Sequence, residues 1–147
     1  MAFSIRVALT AVLVVGMATV AAGQADPIKA RQAMMKANGG AVGSLVKIVK
    51  GESQFDATTV KTALETLHNS TTYAELFPVG SDQGDTKALP TVWSDNAGFK
   101  AALAKMIAAD EALIANPPKD VDGVKAALGA LGPTCKGCHD TYRKPAS

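Results

Sequence analysis

The chain has 147 residues, 48% hydrophobic but only 5% aromatic, with 19% charged and a formal net charge of +2. That length sets one domain, and an alanine-rich apolar content with few β-branched runs favours packed helices over a sheet. No polybasic run stands out, which argues against nucleic acid or an anionic membrane surface as a partner.

Residues 1–23 read as a secretory signal peptide, with Arg6 as the single cation, an apolar run from Val7 to Val20, and the small residues Ala21, Ala22 and Gly23 suited to cleavage. Gln24 is then the first mature residue, and residues 24–147 form the folded unit. A retained membrane anchor is the alternative, although the run falls short of the roughly 20 apolar residues that a spanning helix needs.

Four helical patterns follow. The first opens at Asp26-Pro27, a cap and the proline favoured at the first helical position, and runs to Lys50 before Gly51. Ile28, Arg31, Met35, Asn38, Val42, Leu45 and Val49 recur along it in steps of three and four, the pattern of a stripe facing a bundle interior. Arg31 and Asn38 are anomalous on such a stripe, because a buried, unpaired guanidinium would cost several kcal/mol. Met35 faces inward, whereas Met34 is displaced about 100° around the helix. Gly39, Gly40 and Gly43 weaken the helix but let a flat group approach its backbone.

The second pattern opens at the cap Asp56 and continues through Val60, Ala63, Leu64, Leu67 and Ala74 to Phe77, where Pro78 ends it. The polar run Asn69-Ser70-Thr71-Thr72 weakens its second half. His68, beside Leu67 and without a partner at ligand spacing, reads as a surface or interfacial histidine in preference to a ligand. Residues 79–89 are rich in Gly, Asp and Ser and read as a loop crossing the bundle end.

Pro90-Thr91-Val92-Trp93 leads to Ser94 as a cap and to a third helix through Phe99, Leu103, Met106, Ile107, Leu113 and Ile114, stopped by Asn116-Pro117-Pro118. Trp93 is expected to cover one end of the core with its indole N–H bonded. Asp120 caps the last helix, whose stripe comprises Val121, Val124, Leu128, Leu131, Cys135, Cys138 and Tyr142. Gly129, Gly132 and Gly137 keep that face thin. Pro133 removes a backbone donor and predicts a bend or restart.

Cys135-Lys136-Gly137-Cys138-His139 carries the chemistry. Two thiols three residues apart, followed at once by an imidazole, are what covalent haem attachment requires: each sulfur adds across one vinyl group, and the histidine ligates the iron. On a helix all three share one face. Three rivals are a small-loop disulfide in an exported helical module, a thioredoxin-type pair and a zinc site. The last two lack a βαβ unit and enough ligands respectively, and His139 has no role in the disulfide or the redox pair. A haem propionate near Arg31 would remove the anomaly there.

The sixth iron position then decides the function. A thioether there gives low-spin iron, favours the ferrous state and suits electron transfer, whereas an open position binds diatomic gases. Met35 is the methionine best placed to reach the iron, and Met106 is its rival, a methionine on an apolar stripe being more often core. Arg143, one turn beyond His139, is a candidate to tune that ligand. No residue set suggests enzymatic work on a substrate, since peroxidase-like chemistry would want a distal base.

These residues resemble the class II c-type cytochromes, which include cytochrome c prime and the low-spin cytochromes c-556. The likeness spans the mature chain: Arg31-Gln32 followed by Met35, Lys50-Gly51-Glu52 and Phe55-Asp56, Leu76-Phe77-Pro78, Gly84-Asp85 leading to Pro90 and Trp93, and the C-terminal haem motif with Tyr142-Arg143. The resemblance implies an all-α, antiparallel four-helix bundle with one covalent haem c, exported to the periplasm. It places Arg31 and Gln32 near the haem propionates, Asp85 or Thr86 at the haem rim, and Met35 at the distal position, where a methionine ligates iron in the c-556 type. The leading expectation is therefore a periplasmic electron carrier ligated by His139 and Met35. It would serve periplasmic redox proteins as a monomer or homodimer, free of the membrane once the signal is cleaved. The alternative is a five-coordinate, high-spin cytochrome c prime binding nitric oxide or carbon monoxide.

Overall fold

The structure is a computed structural model, and it describes residues 26–145. The signal-peptide reading of residues 1–23 and the cleavage before Gln24 lie outside the described residues. Four long helices dominate: α1 (Pro27–Val49), α2 (Ala57–His68), α4 (Asn96–Ala115) and α5 (Val121–Tyr142), with a single-turn α3 (Thr91–Ser94) before α4. Each long helix opens on an aspartate whose carboxylate accepts from first-turn N–H groups. Asp26 accepts from Ile28, Asp56 from Thr59, Asp95 from Gly98 and Asp120 from Gly123, at 2.9, 2.7, 3.1 and 2.7 Å. Such a cap contributes about 1 kcal/mol and sets where the helix begins.

The expected second helix is shorter than its apolar pattern. It stops at His68 and tightens into a 3₁₀ segment over Asn69–Leu76. Ser and Thr side chains compete for backbone groups in this run, as Thr72 does by donating to the carbonyl of Asn69. Ser94 is not the cap of the third long helix; Asp95 takes that role after the short α3. The helix is not restarted at Pro133, since α5 is continuous from Val121 to Tyr142. Gly129, whose carbonyl loses its partner to that proline, is exposed, so water can satisfy the freed oxygen. Val121, expected on the inner stripe, is 41% exposed.

Among the long helices α1 neighbours α2 and α5, and α4 neighbours α2 and α5. The connections after α1 and after α4 are short, which makes their neighbours antiparallel. The start of α1, the end of the 3₁₀ segment, the start of α4 and the end of α5 therefore meet at one end of the bundle. Two apolar clusters occupy the interior. The deeper one holds Leu45, Ile48, Val60, Leu64, Leu67, Val124 and Leu131. The other gathers Phe77, Val92, Phe99 and Tyr142 at the end where the termini meet, with edge-to-face pairs Phe77–Phe99 and Phe99–Tyr142 at 4.8 and 5.4 Å. Trp93 meets Phe77 at 5.8 Å, and its indole N–H donates to the carbonyl of Pro78 at 3.2 Å.

Asp95 joins this end to the helix framework. One carboxylate oxygen caps α4 and the other accepts from the Tyr142 hydroxyl at 2.7 Å. That bond to Asp95, with burial, pushes the phenol up to about 12. A Cβ at Gly98 would fall 2.2 Å from Asp95 Oδ2 and 2.5 Å from the Tyr142 oxygen, so only glycine leaves room for the bond. Asp95→Ala is expected to lower stability by about 1–2 kcal/mol, chiefly through the lost cap, read as a lower denaturation midpoint.

Candidate cofactor site

Between the two clusters lies a cavity of about 750 Å³, within the range of roughly 300–1,000 Å³ usual for cofactor sites. One wall is α1, with Arg31, Met35, Asn38, Gly39 and Val42, and the facing wall is α5, with Leu131, Gly132, Cys135, Cys138 and His139. Met35 and Val42 are only half-buried because they face this space instead of a neighbouring helix. That is also why the buried stripe of α1 runs through Arg31, Asn38, Ala41, Leu45 and Ile48, displaced from the expected Ile28, Met35, Val42 and Val49.

Both cysteines are free and half-buried, so the disulfide rival is absent from the fold. Burial, followed by the neighbouring Cys135, pushes the Cys138 thiol up. His139 is lowered by burial first and by Arg143 second, with Asp140 partly opposing. A neutral imidazole is the form that binds metal. Asp140 pairs with Lys136 along the helix surface.

The segment between the short helices crosses the mouth and is fastened from both sides. Arg31, 3% exposed, explains its own burial: Nη1 donates to the carbonyl of Leu76 and to Ser81 Oγ at 3.1 and 3.0 Å, and Nη2 to the Ser81 carbonyl and Thr86 Oγ1 at 2.6 and 2.7 Å. Its guanidinium carbon also lies 4.8 Å from the Phe77 ring centre. The propionate expected to relieve Arg31 is therefore unnecessary for that purpose, because the loop supplies the oxygens. From the other side the end of α5 pairs with the same segment. Leu89 N–H donates to the Tyr142 carbonyl at 2.9 Å, Lys144 N–H to the Lys87 carbonyl at 2.7 Å, and Lys144 Nζ to the Thr86 carbonyl at 3.0 Å. Thr86 is buried and lines the cavity, Gln32 lines it while bonding the Asp85 carbonyl at 2.8 Å, and Asp85 does not line it.

Every charged residue on the wall is a cation: Arg31, Lys87, Arg143 and Lys144. An apolar interior with a cationic rim suits a flat apolar macrocycle bearing two carboxylates. Gly39 and Gly132 line the cavity and a Cβ on either would meet no protein atom within 4 Å, so these glycines leave width for the cofactor and not for a helix neighbour. Gly40, Gly43, Gly129 and Gly137 do not line it. At Gly40, exposed and unobstructed, alanine is expected to raise the denaturation midpoint by the equivalent of about 0.5–1 kcal/mol with an unchanged spectrum.

Met106 also lines the cavity, at 7% exposed, whereas Met34 does not. Phe99 packs on Tyr142 at 5.4 Å. Met106 stands about 10 Å of helix rise from that level and His139 only about 4.5 Å, so the two are offset. Met35 and His139 stand on facing walls. Each lies one turn inward from an arginine fastened to the crossing segment, Arg31 at Thr86 and Arg143 at Ala88.

His68 does not line the cavity; it meets Asp110 of α4, with 3.5 Å between Nδ1 and Oδ2. Asp110 escaped the sequence reading although the signal was available. Phe99, Leu103, Met106, Asp110 and Leu113 recur in steps of four and three, which puts the carboxylate on the inner stripe.

A family model described as Cytochrome C' matches residues 26–143. A cytochrome c-556 of Agrobacterium tumefaciens strain B2A is 43% identical over 120 residues, covering 81% of this chain and 98% of that protein. A cytochrome c' of Rhodopseudomonas palustris is 38% identical over 141 residues, covering 95% of this chain and 96% of its own. The solved structure of a cytochrome c' from Rhodopseudomonas palustris superposes with a TM-score of 0.78 at 37% identity, covering 84% of this chain and 100% of that one.

Proposed function

The chain belongs to the cytochrome c' family, a family of haem c proteins, and from that premise we propose that it is a low-spin electron carrier with His139 and Met35 as axial ligands. The observation that carries this reading is that His139 and Met35 line facing walls of one cavity, one turn in from Arg143 and Arg31 respectively. When bound, haem supplies a one-electron iron couple. Cys135 and Cys138 would hold the macrocycle to α5 through thioethers, and His139 would offer a half-buried nitrogen whose protonation burial disfavours. Met35 offers a soft sulfur that favours the ferrous state. The aromatic cluster and the twice-fastened crossing segment hold the shape of the cavity and so limit reorganisation when an electron arrives. Arg31, Gln32 and Thr86 form the edge of the cavity nearest the crossing segment, and the cationic rim favours the propionates.

No helix among the described residues is long and apolar enough to cross a membrane. The proposal places the mature protein in the periplasm, exchanging electrons with periplasmic redox proteins as a monomer or homodimer. The test is a spectrum and a mass on purified periplasmic protein. A haem-sized mass increment, a sulfur-to-iron charge-transfer band at the red end of the oxidised spectrum and indifference to carbon monoxide are expected. A high-spin ferrous spectrum that takes carbon monoxide readily would replace the carrier with the five-coordinate gas binder, in which Met35 merely crowds the distal side.

A further inference from the structure

Asp110 is 0% exposed on the inner face of α4, and neither carboxylate oxygen has a hydrogen-bond partner among the described residues. A bare carboxylate in an apolar interior costs several kcal/mol unless it is protonated or paired. The group nearest to filling that need is His68, whose Nδ1 lies 3.5 Å from Oδ2 and is itself buried, while the side chain as a whole is 42% exposed. The imidazole therefore spans the wall of the bundle, with one nitrogen against the carboxylate and the rest of the ring reaching solvent. The one other charge that bears on the carboxyl is that of Glu111, the least of its influences. The buried residues of α5 near this level are Val124, Ala127 and Leu131, the buried residue of the 3₁₀ segment is Ser70, and α2 otherwise buries only apolar side chains. Glu111, next in the chain, and Glu65, paired with Lys61, are exposed. Burial pushes the Asp110 carboxyl up, and His68 opposes this.

The pair sits directly behind the haem cavity. Leu67, the residue before His68, and Met106, one turn before Asp110, both line it. By the same helix rise Asp110 stands about 12 Å along the bundle from the level of His139, a distance over which a unit change in the iron's charge is still felt through an interior that screens it weakly.

We propose that His68 and Asp110 form a redox-linked proton site, taking up a proton from solvent through the imidazole when the haem iron is reduced and releasing it on oxidation. An external one-electron donor, a reduced redox protein or an electrode, supplies the electron that takes ferric iron to ferrous. The proton comes from solvent hydronium, whose O–H bond breaks as one forms on a carboxylate oxygen of Asp110, the imidazole passing it inward. Reduction removes positive charge from the cavity and so raises the pair's proton affinity. Reduction is therefore favoured where protons are plentiful, and the midpoint potential falls as pH rises through a bounded window. This inference rests on bound haem, and it is independent of whether Met35 is the sixth ligand.

Spectroelectrochemistry of the holoprotein across pH tests it. The expected result is a sloping window in the potential that disappears in Asp110→Asn and moves to higher pH in His68→Gln, where no imidazolium steadies the carboxylate. Met35→Leu should keep the window while shifting the potential, which separates this inference from the ligand assignment. On the unaltered protein, the reduced-minus-oxidised infrared spectrum should show a deuterium-sensitive carboxylic-acid carbonyl band, so an unfolded variant would not leave the question open. A window unchanged in Asp110→Asn or in His68→Gln, or an infrared difference without a carboxyl signal, would overturn it.

Discussion

Met35→Leu is expected to convert the iron to a high-spin form that binds carbon monoxide, to abolish the red-end charge-transfer band and to lower the midpoint potential. The fall should be on the order of 100 mV, a fraction of the about 0.8 V that axial ligands span. Leucine matches methionine in volume, and swaps of this kind usually cost under about 1.5 kcal/mol, so the fold should survive and isolate the ligand effect. Met35 is already half-buried on the cavity wall, so no helix contact is lost. Met106→Leu is the control: it removes the other methionine on the wall and should leave the band and the spin state untouched. If the spectrum changed in Met106→Leu and not in Met35→Leu, the assignment would pass to α4.

Arg31→Ala is expected to be the most damaging single change away from the haem motif, lowering stability by roughly 3 kcal/mol or more. Four acceptors, on Leu76, Ser81 and Thr86, lose a charged donor at once, and two of the bonds they make are at 2.6 and 2.7 Å. Bonds to charged groups are each worth about 1.5–3 kcal/mol, and several share one side chain, so their sum is not additive. Arg31→Lys keeps the charge but offers a point donor in place of a planar fork and should recover less than half of the loss. Denaturation midpoints followed by haem absorbance measure both. Because the anchored segment closes the cavity mouth, Arg31→Ala should also speed the uptake of small ligands even at temperatures where the protein is fully folded. A near-neutral Arg31→Ala would mean that the segment is held from the α5 side alone.

The bundle and the haem motif were readable because their signals are local. Each long helix is announced by an aspartate cap, α1 and α4 are closed by Gly51 and Pro117, and Cys135, Cys138 and His139 specify one chemistry by spacing. That Met35 and not Met34 faces the cavity was also legible, since a repeat of three and four separates the two around the helix. The misses depend on contacts distant in sequence. The partners of Arg31 lie about fifty residues away on a loop, and periodicity says nothing about loops. The second helix tightened at Ser70 and Thr72 because hydroxyls competed with backbone groups, a contest that an apolar pattern does not register. Ser94 and Asp95 are both good caps, and the bond to Tyr142, almost fifty residues on, accompanies the choice of the aspartate. Asp110 was hidden by habit: a carboxylate is expected outside, and its place in the repeat went unused.

The width between α1 and α5 has a consequence for how the protein is made. Left without its occupant, an opening of about 750 Å³ would take in water through the mouth and leave walls of leucine, methionine and phenylalanine wetted and without packing partners, a loss that weighs heavily against the 5–15 kcal/mol that holds a domain together. Chain produced without the attachment machinery should accordingly be a loose, helix-containing globule without cooperative melting, detectable by calorimetry and dye binding. Maturation and final folding would then be a single step, with the pigment acting as the largest side chain of the interior.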